Sequence, residues 1–190
     1  MILKYLTNIK LVLKNTKVES FIFGNKEDIY KNKVEYLLFL KNLLSRYYNS
    51  IPDSLAITLL EESKKSKNII IETGVGASTI ALFLGAVFNK KKLISFDLNK
   101  KKSDFIKKFI KCNICDFLEI DINKFLKIKN NNTVNKKNGL ASLKIKSNFF
   151  YLDSSHNINH ILKEIDYIKK ISDKKFLILL DDMNFDHEEK

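Results

Sequence analysis

Ile69-Ile-Ile-Glu72-Thr-Gly74-Val-Gly76-Ala-Ser78-Thr79 is the stretch that decides the fold. Its opening belongs to a short apolar run, 68–72, that reads as a buried strand. Gly74 and Gly76 let the backbone turn tightly and approach a ligand where a Cβ would collide. Ser78 and Thr79 open a helix over 77–88, whose free N–H groups face that ligand. Strand, glycine turn and helix in this order serve a nucleotide-like ligand at the carboxyl end of a first strand. The third glycine of a dinucleotide fingerprint would fall where Thr79 stands, which weakens a pyrophosphate reading. Glu72 points the same way. A carboxylate there would repel a pyrophosphate and suits a ligand with a positively charged amino group.

Outward from this turn the chain alternates. Further strands are expected at 92–97, 117–120, 149–153 and 175–181, with helices at 100–110 and after Ile158. Ile158, Ile161, Leu162, Ile165 and Ile168 carry the helical period of the latter. Such alternation implies a Rossmann-like, doubly wound α/β fold. Its mostly parallel sheet should hold about five strands in the order 3-2-1-4-5. A short helix at 122–127 leads into a polar, aperiodic loop at 128–147. Residues 1–66 read as a helical layer packed on the core, not a separate domain. There Tyr36, Leu37, Phe39, Leu40, Leu43 and Leu44 recur at helical spacing, and Pro52 opens another helix. Residues 67–190 form the ligand-binding domain.

Composition excludes several classes. The 190 residues are 45% hydrophobic, which suits one globular domain. No apolar run is long enough to span a bilayer. The N-terminus lacks a small-residue cleavage site, so a cytoplasmic protein is expected. The formal charge is +12, and Arg46 is the only arginine. Lysine offers a point charge, without the bidentate fork that suits phosphate and bases. Nucleic acid is therefore disfavoured as a partner, and a solvated lysine surface is expected. Cys112-Asn-Ile-Cys115 has no second ligand pair at zinc-site spacing and reads as two reduced thiols beside a strand.

The segment Glu72-Thr-Gly74-Val-Gly76 resembles motif I of the class I S-adenosylmethionine-dependent methyltransferases: an acid, any residue, Gly, any residue, Gly. The resemblance implies that the glycine loop, with Ser78 and Thr79, wraps the methionine moiety. It implies that Asp97, ending the second strand, binds the ribose hydroxyls, two of which one carboxylate can accept. Asp121, after the expected third strand, falls where the family often places an acid near the adenine.

Asp153 ends the fourth expected strand, and Asp181-Asp182 ends the fifth. Adjacent parallel strands bring such acids to one face, where unneutralised they would repel one another. A hard divalent cation resolves that conflict. The arrangement resembles the metal-dependent O-methyltransferases. Leu152-Asp-Ser-Ser-His156 followed by a helix and Leu180-Asp-Asp182 is most similar to the macrocin O-methyltransferase and cephalosporin-hydroxylase-like group. The resemblance implies Mg²⁺ held by Asp153, Asp181 and Asp182. His156, with an ordinary pKa near ~6.5, can serve as general base.

The expected activity is methylation of a small-molecule hydroxyl, with Mg²⁺ assistance. An RNA or protein methyltransferase on the same fold is the alternative, as is a truncated, non-catalytic cofactor-binding module. A nicotinamide oxidoreductase ranks behind these. Strands six and seven, usual in the family, are expected to be missing, since the sequence stops just past strand five. A homo-oligomer is compatible with the sequence.

Overall fold

The computed structural model describes residues 26–155 and 157–181. Five parallel strands form one sheet: β1 (Ile69–Thr73), β2 (Leu93–Phe96), β3 (Leu126–Lys129), β4 (Ser147–Leu152) and β5 (Ser172–Leu180). Their spatial order is β3-β2-β1-β4-β5, as the sequence pattern predicts. The helices are α1 (Lys26–Lys31), α2 (Lys33–Ser45), α3 (Asp53–Lys65), α4 (Ala77–Phe88), α5 (Lys100–Ile110), α6 (Ile122–Phe125) and α7 (Ile158–Ile171). No helix among the described residues is long and apolar enough to cross a membrane.

β1 is central and buried on both faces, so it reads as a continuous apolar run. Ile70 points into the larger core with Leu37, Leu59, Phe83 and Phe109. Ile71 points to the opposite face, where Phe150, Leu152 and Ile168 cover it. α2, α3, α4 and α5 thus cover one face, and α7 with the β3–β4 loop covers the other. The register aligns Thr73 with Phe96 on one side and Leu152 on the other. The carboxyl ends of β1, β2 and β4 therefore meet at one level, which is what positions the site.

The third strand departs from the sequence reading. Residues 117–120 do not form it. The α5 helix runs on through a π turn at Lys111–Cys115 and a last turn at Asp116–Leu118. Ile110, Ile114 and Leu118 recur every fourth residue and are all buried, so helical burial wins over the short apolar run. Glu119, at φ 54°, ends the helix in the left-handed region. β3 follows at Leu126–Lys129, where Leu-Lys-Ile-Lys alternates and Leu126 pairs with Leu93. The short helix therefore stops at Phe125, short of the expected residue 127. Cys112 and Cys115 are free thiols within this helical run, not beside a strand.

The polar β3–β4 loop also has a defined shape. The Leu140 amide donates to the Thr133 carbonyl at 2.8 Å, and the Leu140 side chain is buried under the sheet. That anchor holds residues 131–133 against the ends of the strands.

Candidate functional site

The turn after β1 is built on Gly74. Its φ is +88°, and a Cβ there would lie 2.0 Å from the Asp153 carbonyl oxygen. Both backbone conformation and close packing on the end of β4 therefore require glycine. Gly76 is different. Its φ of −175° is extended backbone open to any residue. A Cβ there would meet nothing nearer than Lys102 Nζ, at 3.9 Å. The fold leaves that space open, and a side chain at position 76 would fill it.

Glu72 lies beneath this turn, fully buried. It accepts hydrogen bonds from Ser78 Oγ at 2.8 Å, Thr79 Oγ1 at 2.9 Å and Ser95 Oγ at 2.6 Å. Thr79 Oγ1 also accepts the Gly76 amide at 2.9 Å. Burial pushes the Glu72 carboxyl up to about 7, against the pull of its hydroxyl partners. The structure thus gathers Glu72, Ser78 and Thr79, but as the frame behind the turn. With its side chain enclosed, Glu72 does not offer the direct ligand contact that its charge suggested.

Asp97 stands at the mouth. Its Oδ2 accepts the Val75 amide at 2.9 Å and its Oδ1 the Asn99 amide at 2.6 Å. Lys102 Nζ lies 3.8 Å from Oδ2. Each oxygen keeps a further lone pair for a ligand hydroxyl. Leu98, next in sequence, is 69% exposed and lines the same cleft, where it presents an apolar surface. The cleft, about 280 Å³, runs from Gly74 and Asp97 to Asp153, with Asn131 to Thr133 of the β3–β4 loop as its far wall. Small-molecule sites of roughly this size and upward are usual.

His160, on the first turn of α7, also lines this cleft. Its Nε2 is 2.9 Å from Thr133 Oγ1 and 3.4 Å from Glu164 Oε1. Glu164 is fully buried, accepts Ser154 Oγ at 2.7 Å and leaves Oε2 without a hydrogen-bond partner. From the sequence His160 reads as a surface residue. Its place in the wall depends on Thr133, which no local pattern connects to it.

The remaining candidates divide. Asp153 lines the cleft. Asp181 follows β5, and its Oδ2 receives the Tyr151 hydroxyl at 2.5 Å. His156 and Asp182 lie outside the described residues. Among the described residues no group of three His, Cys, Asp or Glu side chains could hold a metal ion. Asp121 does not follow β3. It caps α6 ahead of that strand, accepting the Asn123 amide at 2.9 Å, and borders a separate cavity with Lys107 and Lys111. The early position follows from the misplaced third strand.

The same architecture recurs in solved structures with S-adenosylhomocysteine bound. A methyltransferase of Podospora anserina superposes with a TM-score of 0.60 at 14% identity, over 82% of this chain and 69% of that one. An O-methyltransferase of Bacillus cereus gives 0.58 at 14% identity, over 95% and 74%. The chain shares the Rossmann-like fold of these proteins. A third example of that fold, a putative protein-L-isoaspartate O-methyltransferase of Plasmodium falciparum, gives 0.52 at 14% identity, over 81% and 80%. No family model and no curated protein matches the sequence.

Proposed function

We propose that the protein is an S-adenosylmethionine-dependent methyltransferase acting on a hydroxyl of a small molecule. The observation that carries the reading is the open space over Gly76 beside Asp97. The fold spends a glycine there without any conformational need for it. A nucleoside with an amino-acid tail fits that arrangement. Its ribose diol would lie on Asp97, its purine on Leu98, and its tail over the glycine turn towards Asp153.

S-adenosylmethionine would supply an electrophilic methyl group on a sulfonium. The chain's part is to hold the acceptor oxygen in line with that methyl and to take the acceptor's proton. His160 lines the cleft and has the chemistry to accept it. His156, assigned that role on sequence grounds, lies four residues before it. Thr133 and Glu164 orient the His160 ring by engaging Nε2. Asn131 to Thr133 of the β3–β4 loop form the wall at this end of the cleft.

Mg²⁺ finds less support. Asp153, Asp181 and Asp182 are the residues that would hold it. Asp181 already receives the Tyr151 phenol, and the described carboxylates do not converge into an oxygen cage. No step is assigned to a metal.

Titration calorimetry with S-adenosylmethionine and S-adenosylhomocysteine tests the proposal. Saturable one-to-one binding of both is expected. Absence of heat from protein that melts cooperatively would refute it.

A further inference from the structure

A second cavity, of about 410 Å³, lies at the opposite end of the sheet, between α1, the α4–β2 turn and α6. Lys90, Lys91, Lys92 and Lys124 line it, and none of its lining residues is acidic. The neighbouring cavity beside α5 is balanced, with Lys107 and Lys111 facing Asp116 and Asp121. Among the described residues the four groove lysines, like most of the other lysines, pair with no carboxylate. Like charges gathered in one concavity repel, and a bound anion relieves that repulsion.

Two further features mark the groove. Lys90 holds φ 55° directly after the cap of α4, a position that favours glycine. A lysine stands there despite its conformational cost. The Tyr30 ring is 44% exposed at the groove wall and is braced edge-on by Phe88, with centroids 5.3 Å apart. It offers a fixed aromatic face beside the positive charge, the pairing that suits a base next to its phosphate.

We propose that this groove binds a phosphorylated nucleoside, its phosphates held by Lys90, Lys91, Lys92 and Lys124 and its base stacked on Tyr30. The source is a free nucleotide or a single-stranded nucleic acid. The site sits at the amino ends of the strands, so it is separate from the cleft at their carboxyl ends and does not depend on the methyltransferase reading.

Fluorescence anisotropy of the full chain with a short labelled single-stranded RNA, competed by ATP, tests this. The combined variant Lys90→Ala, Lys91→Ala, Lys92→Ala and Lys124→Ala should weaken RNA binding by about tenfold or more and flatten its salt dependence. Arginine at the same four positions should preserve binding and guard against misfolding as the cause. Tyr30→Leu should weaken binding by about fivefold to tenfold. A control with alanine at Lys101, Lys107, Lys108 and Lys111 removes the same charge elsewhere and should change affinity less than about twofold. Displacement by ATP as readily as by unlabelled RNA identifies a free nucleotide; preference for the strand identifies nucleic acid. Equal loss in the control, or no binding of either probe by the unmodified protein, overturns the proposal.

Discussion

The Val75 amide donates to Asp97 Oδ2 at 2.9 Å, tying the glycine turn to the end of the neighbouring strand. One carboxylate therefore shapes the loop and faces the cleft. Asp97→Ala should remove both functions. Hydrogen bonds to a charged group are worth about 1.5–3 kcal/mol, so affinity for S-adenosylhomocysteine should fall about tenfold to hundredfold. Asp97→Asn retains one acceptor oxygen and should lose less. Calorimetry on the two variants gives the ordering. Equal, unchanged affinities would remove Asp97 from the site.

The two glycines of the turn should separate stability from binding. Gly74→Ala forces a Cβ against the Asp153 carbonyl at a positive φ. It should destabilise the fold by about 2–4 kcal/mol, read as a drop in Tm. Gly76→Val meets open space and an extended backbone. It should leave Tm within a few degrees of the parent and abolish detectable cofactor binding. Thermal denaturation and calorimetry on both proteins distinguish the roles. A Gly76→Val protein that binds normally would show that no ligand uses this space.

How much of this was readable from the sequence depends on how local each signal is. The β1 turn was legible because Glu72, Gly74, Gly76 and Thr79 act within one strand-turn-helix unit, and Asp97 because it ends a well-marked strand. β3 was not, because the apolar residues at 117, 118 and 120 suit a short strand as well as a last helical turn. Only the packing of Ile110, Ile114 and Leu118 in one line decides for the helix. That slip carried Asp121 to the wrong end of the sheet. His160 was missed for a different reason. Its partner Thr133 lies 27 residues away in a loop without periodicity, and tertiary structure alone joins them.

A metal contribution to cofactor binding can be read apart from turnover. Asp181 is engaged by Tyr151, and the described residues gather no metal-binding group. Affinity for S-adenosylhomocysteine should therefore be the same in Mg²⁺ as in EDTA, within about twofold. Asp181→Asn should leave that affinity unchanged too. A rise of about tenfold or more on adding Mg²⁺, lost in Asp153→Ala, would establish an ion at the end of β4.

Glu72 gives the protein a pH signature. Its carboxyl titrates near 4.5 when unfolded and about 7 in the fold, because burial disfavours the charge. The folded state thus binds the proton more tightly than the unfolded state. Its contribution to stability is fully present below about pH 4.5 and is lost as pH rises through about 7. The change should be on the order of 3 kcal/mol between those limits, with little further effect above. Glu72→Gln keeps a neutral, hydrogen-bonding side chain among Ser78, Thr79 and Ser95. It should remove this dependence and be more stable than the parent at pH 8, with the difference vanishing as pH falls below about 4. Urea denaturation of both proteins across that range measures it. Parallel stability profiles would mean that Glu72 stays ionised beneath the turn throughout, with its three hydroxyl donors outweighing its burial.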